Sequence, residues 1–437
     1  MKKTLLSLFI VSLISYASRS QDSTIHLSLQ EAITASISNN NAIKLSTLDV
    51  QIAKAKFRQT DAILLPQANF SYTAATTNNP LNAFGFKLQQ RSITAADFNP
   101  KLLNDPSATP DFSAKFELQQ PLLNVDMLYQ RKGAAKQVEM YQLLSDRTKE
   151  YLSFETEKAC LQLQMAHDEN KVLNDALATA QAVYKTSKDY YNQGLIQKSD
   201  LLNAEVHVMN IETQVKSSQS GIRDASDMLS ILMGRPTGTV YTIDPTGITN
   251  AVIADSTGLS NDRPDFKALQ TGMESYDMMI KSSKMSALPR LNAFASYQLN
   301  DKSMFGSNAN AYLAGIQLSW NIFNGNRTRN TITQQRLEKE KLAKQLDQQK
   351  SEAQLQINHS RRQLSDASFV MKQQQLAVEQ ASEALRVLQN RYAQGLVKTT
   401  DVLMAQTQLS QQKIGYVHAV FDYNLAAASL HFLTTKY

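Results

Sequence analysis

The sequence predicts a mainly α-helical chain with a small β part, made by duplicating one unit of coiled-coil helical hairpins and β-hairpins. Three observations predict it. The stretch YYNQGLIQKSDLLNAE at 190–205 returns as RYAQGLVKTTDVLMAQ at 391–406. At that shift of 201 positions Tyr191, Gln193, Gly194, Leu195, Asp200, Leu202 and Ala204 meet Tyr392, Gln394, Gly395, Leu396, Asp401, Leu403 and Ala405. Two long stretches, 134–193 and 326–394, contain neither glycine nor proline and are rich in good helix formers. Ahead of each lies a short segment in which apolar and polar residues alternate.

Residues 1–20 have the form of a secretory signal: Lys2 and Lys3, an apolar run over 5–14, then small residues around Ala17 and Ser18. The run is too short to span a bilayer. The remainder divides into a first repeat at 21–233, a connector at 234–260 and a second repeat at 261–437. In the first repeat a helix over 28–63 gives way at Pro66 to a strand in PQANFSYTA. A turn-rich loop over 76–111 follows, with Asn78, Asn79, Pro80, Pro100, Pro106 and Pro110. The partner strand alternates Phe112, Ala114, Phe116 and Leu118 with Ser113, Lys115, Glu117 and Gln119.

The second repeat has the same order. A helix over 262–287 leads into PRLNAFASYQL, where Phe294 interrupts the alternation, and a short loop over 300–310 leads to the last strand. There Tyr312, Ala314, Ile316, Leu318, Trp320 and Ile322 alternate with Leu313, Gly315, Gln317, Ser319 and Asn321. Asn41 and Pro66 stand as far apart as Pro264 and Pro289, at an offset of 223 rather than 201, so 22 residues of difference fall between the landmarks. The unequal hairpin loops account for it.

The two long stretches would each make a helix of about 90–100 Å at 1.5 Å per residue. Their apolar positions are sparse: Ile332, Leu337, Leu342, Leu346, Ala353, Leu355 and Ile357 are separated by glutamines. That is a narrow coiled-coil seam, and the glutamines suit either the wet surface of a rod or the wall of a water-filled lumen. Gly194 and Gly395 are expected to end the helices as left-handed caps, and Ser199 and Thr400 to cap return helices over 200–233 and 401–434. The tips therefore lie at 191–200 and 392–401.

Composition excludes several functions. The formal charge of +6 loses Lys2, Lys3 and Arg19 with the signal, leaving 42 basic against 39 acidic residues and no electrostatic case for nucleic acid. Cys160 is the single cysteine, so no internal disulfide forms, and its mid-helix place fits an inert packing thiol. His26, His167, His207, His359, His418 and His431 show no metal-ligand spacing, the acids form no recognisable acid/base pair, and the connector lacks phosphate-loop spacing. No catalysis, metal or cofactor is expected.

No apolar run of 18 or more residues follows the signal, which leaves a soluble exported protein or one whose membrane segments are strands. Four strands cannot close a barrel, and lipid does not tolerate open strand edges. Two copies would give eight strands and three copies twelve, and both are even numbers of the kind outer-membrane barrels use. The residues also fit a different class, an exported coiled-coil interaction protein such as a periplasmic adaptor or a surface filament. A secreted pore-forming toxin is a third alternative.

Arg263-Pro264-Asp265 opening a helix, the strand-to-helix phrases QPLLN at 120–124 and WNIFNG at 320–325, and the paired tips together resemble the TolC-type outer-membrane efflux proteins, over nearly the whole chain. The resemblance implies a homotrimer with a 12-stranded β-barrel in the outer membrane of a Gram-negative bacterium, continued by an α-helical barrel in the periplasm. It implies a passive export duct that works with a periplasmic adaptor and an inner-membrane RND or ABC transporter, gated where the helix tips converge. By motif position Asp200 and Tyr392 would form one gate link and Asp401 an acidic ring. Val397 and Met404 replace a basic link residue and a second ring aspartate. Gly194, Leu195, Gly395 and Leu396 would dock the adaptor. Phe112, Phe116, Leu118, Tyr312, Ile316, Leu318 and Trp320 would face lipid.

Each of these residues also has a plainer role. An acid in the first turn of a helix is favoured by the dipole by about 0.3–1 kcal/mol. Tyr191 and Tyr392 could cover the last helical turn, the tip glycines and leucines could be structural, and the strand aromatics could fill a core.

Overall fold

The computed structural model describes residues 24–244 and 258–434. The expected signal at 1–20 and the middle of the connector lie outside them. The chain forms two compact units: one from 49–143 with 267–346, the other from the described residues up to 48, 144–266 and from 347 onward. Each unit draws on both sequence repeats.

The first of these units holds a four-stranded sheet. Its strands are β2 (Gln67–Thr77), β3 (Thr109–Leu123), β5 (Arg290–Asp301) and β6 (Ala309–Ser319), in the order β2-β3-β5-β6 with every pair antiparallel. Pro66 and Pro289 each stand just before a strand, where a missing N–H breaks no ladder bond. Phe294 breaks the alternation for a local reason. It stands opposite Gly315, and a Cβ there would lie 3.0 Å from the phenyl ring, so the ring covers the gap that the glycine leaves.

The loop at 76–111, expected to be long and turn-rich, also holds regular structure. It contains the helices α3 (Pro80–Gln89) and α4 (Pro100–Asn104), each opened by an asparagine cap and a proline in its first turn. Lys87 and Asp97 pair at 2.7 Å, and Phe84 and Phe98 meet edge to face. Gln90 donates from Nε2 to Asp111 at 2.9 Å, and Asn300 donates to the same carboxylate at 3.0 Å. By strand register Asp111 and Asn300 lie on the sheet's polar face. The insert is therefore folded onto that face.

The other unit is almost wholly helical. It contains α1 (Leu29–Asn39), α6 (Lys198–Leu232) and α9 (Thr399–Thr434), with the greater parts of α5 (Val125–Asn192) and α8 (Arg327–Ala393). The helix expected over 28–63 is interrupted: Asn40 is extended, and α2 (Asn41–Gln59) starts anew after it. The Asn40 carboxamide receives the Ala42 N–H and donates to the Leu232 carbonyl, an alternative to helical bonding that asparagine supplies readily. Two short strands that alternation does not reveal, β1 (Ile25–Leu27) and β4 (Tyr241–Ile243), pair in parallel and pack Leu27 and Tyr241 into a core with Leu163, Leu229 and Met233. Cys160 lies in that core. Helix α7 (Pro264–Met285) precedes β5.

Candidate functional site

The paired helix tips are built from backbone chemistry first. Gly194 and Gly395 adopt φ of 74° and 72°, the left-handed region where a side chain is strained. Around each, two reversed bonds close the helix: Gly194 N–H to Tyr191 and Leu195 N–H to Tyr190, then Gly395 N–H to Tyr392 and Leu396 N–H to Arg391. The return helices begin differently from expectation. Ser199 and Thr400 are inside the first turn and do not cap it. The carboxylates of Asp200 and Asp401 do so instead, accepting the backbone N–H groups of Gln197 at 3.3 Å and Lys398 at 3.1 Å.

Between the tips lies a small core of Val183, Ala204, Leu385, Tyr392, Val402 and Leu403. Tyr392 is only 6% exposed, and its hydroxyl shares hydrogen bonds with Ser187 at 3.1 Å and Thr399 at 3.0 Å, both buried. Its ring lies 5.6 Å from that of Tyr190, whose own hydroxyl donates to the Ala393 carbonyl. Within one chain Tyr392 is therefore bonded to Ser187 and Thr399, and Asp200 to its own helix start. Leu195 and Leu396 are 66% and 63% exposed at the two turns.

Ser187, Tyr190 and Thr399 escape a reading based on duplication. At the 201-residue shift they face Leu388, Arg391 and Lys198, so the repeat gives no hint of them. The chemistry that joins the tips sits where the two copies differ.

In the sheet-bearing unit, register collects most of the large apolar side chains on one face, with Phe294 and Leu313 on the other. Phe70, Phe116, Tyr297 and Tyr312 stand directly opposite one another across all four strands. Such cross-strand aromatic pairs contribute about 0.2–1 kcal/mol each. Leu118 and Phe112 share that face on β3, and Ile316 and Leu318 share it on β6. All of these except the half-buried Phe112 are exposed. Trp320, expected within the last strand, lies one residue beyond it, and its indole N–H donates to the Ala287 carbonyl at 2.9 Å. The opposite face carries Ser71, Thr73, Lys115, Glu117, Gln298 and Gln317. Among the described residues β2 and β6 have no neighbour on their outer edges.

The sequence profile of the outer membrane efflux proteins matches residues 32–235 and 259–435. The chain belongs to the outer membrane efflux protein family. Solved structures of this efflux protein's fold include CusC, described as forming a transmembrane channel, with a TM-score of 0.76 and 15% identity over 93% of this chain and 92% of that one. The CmeC outer membrane channel of Campylobacter jejuni gives 0.74 and 13% over 93% and 85%, and the outer membrane protein VceC of Vibrio cholerae gives 0.72 and 16% over 93% and 96%. No curated protein matches the efflux protein in sequence. It is an efflux protein of the outer membrane.

Proposed function

We propose that three copies of this efflux protein form one passive export duct, with four strands from each closing a twelve-stranded barrel. The supporting observation is the pair of bare sheet edges. β2 and β6 run in opposite directions, so β6 of one copy can pair with β2 of the next and continue the antiparallel ladder around a ring. Closure satisfies the edge N–H and C=O groups, which lipid would otherwise leave unbonded at several kcal/mol each. The aromatic face, with Phe112, Phe116, Leu118, Tyr312, Ile316 and Leu318, meets lipid, and the polar face lines the lumen. Trp320 marks the interface on the helical side.

The helices carry the duct into the periplasm, where the tips form its gate. Tyr392, held by Ser187 and Thr399, and Asp200, which ties down the start of α6, keep the tips closed, while Asp401 sets a negative potential at the opening. A periplasmic adaptor docks on the exposed Leu195 and Leu396 beside Gly194 and Gly395. An RND or ABC transporter of the inner membrane supplies the energy. Docking that withdraws Tyr392 from its pocket would let the tips part.

The test is conductance of the purified protein in a planar bilayer. Asp200→Asn and Tyr392→Phe should both raise it. Unchanged conductance in both variants would remove these residues from the gate.

A further inference from the structure

Beyond Trp320 the chain leaves the sheet through Ile322 and Phe323 and enters α8 by way of Gly325 and Asn326, both at φ of 65°. This turn opens a cleft of about 630 Å³ between the end of α7 and the first turns of α8. One wall is a single helix face, with Arg329, Thr333 and Arg336 at the first, fifth and eighth positions of two turns. Lys284, in the last turn of α7, faces it from the other wall. Ile322 and Phe323 form the rim, 79% and 77% exposed.

Among the described residues no acidic side chain lines the cleft. Neighbouring cations do find carboxylates, Arg290 on Asp126 and Lys339 on Asp277. Among the described residues Lys284, Arg329 and Arg336 make no ion pair. Three uncompensated cations beneath an apolar rim reproduce, in order, the acyl boundary and the anionic head of a lipid.

We propose that this cleft binds the headgroup of an anionic glycerophospholipid in the periplasm-facing leaflet. The inference rests on the barrel reading, which puts the end of β6 at that level of the membrane. The Trp320 ring, fixed by its bond to Ala287, sits at headgroup height. Ile322 and Phe323 enter the acyl boundary, and the cations lie just below, where each contributes to attraction for an anionic surface. Arg329 and Arg336 are staggered by about 10 Å along α8, which spans a headgroup rather than a lone phosphate.

Trp320 is the single tryptophan of the chain and reports on its own surroundings. The full-length protein is reconstituted in phosphatidylcholine vesicles carrying an equal mole fraction of brominated phosphatidylglycerol or brominated phosphatidylcholine, and indole quenching is compared. Brominated phosphatidylglycerol should quench more strongly. Arg329→Gln and Arg336→Gln should each lower that preference about fivefold. Equal quenching in the wild type, or an unchanged preference in the double variant, overturns the proposal. So does an indole quenched by neither lipid, which would mean that a second copy covers the rim. A preference abolished by inorganic phosphate at constant ionic strength would assign the cleft to a free anion and overturn it too. Planar-bilayer conductance of the same preparation separates the failures: a conducting protein without lipid preference refutes this site alone, and a protein that does not conduct refutes the channel reading with it.

Discussion

Tyr392 shows how much can rest on one hydroxyl. Its phenol replaces water for two buried partners, Ser187 and Thr399, so Tyr392→Phe leaves both short of a bond at about 1–3 kcal/mol. That magnitude is large enough to shift a closed tip toward an open one, which is why the conductance test is informative. Of this site, the sequence reveals the tyrosine and the two aspartates, because the repeat prints them twice. It conceals Ser187, Tyr190 and Thr399, because a bond between two unlike copies leaves no periodic trace. Cys160 is a simpler case. Burial pushes its thiol up to about 12, which leaves almost no thiolate near neutrality. The folded protein should stay unlabelled by maleimide at pH 8, with labelling appearing only on denaturation. Rapid labelling of native protein would contradict the packing described for that core.

At the scale of elements, long periodic segments are legible and their ends less so. Both long helices lie within a few residues of where the absence of glycine and proline puts them, apart from nine residues by which α5 extends past Gly133. The capping residues are harder to see: a serine or threonine before an acid suggests a hydroxyl cap, yet the acid itself reaches back to the turn at Asp200 and Asp401. The loop at 76–111 hides its helices because asparagine and proline signal a turn as readily as a helix start. What fixes this insert is partly electrostatic. The Lys87 ammonium, helped by the Thr94 backbone and hydroxyl, holds the Asp97 carboxyl down at about 2. A depressed carboxyl stabilises the fold above its ordinary range near 4, and that contribution is lost as pH falls through about 2. Pepsin nicking within 80–104 should therefore rise in the wild type between pH 4 and pH 2, approaching the rate of Asp97→Asn, which should be cut readily at pH 4. Identical rates for the two proteins at pH 4 would show that the pair does not hold the insert.

For the whole molecule, strand count matters more than any single contact. Alternation in the sequence reveals four strands and one apolar face, and their number alone says that one chain cannot seal itself. It does not choose between two copies and three, because edges that pair head to tail close a ring of either size. The aromatic row of Phe70, Phe116, Tyr297 and Tyr312 emerges only once register is known, since a slip of one residue would send alternate side chains to the other face. The most direct measurement is native mass spectrometry of the detergent-solubilised protein. Particles of three chains are predicted, held together by β6-to-β2 pairing. Particles of a single folded chain, with both sheet edges satisfied some other way, would contradict the account.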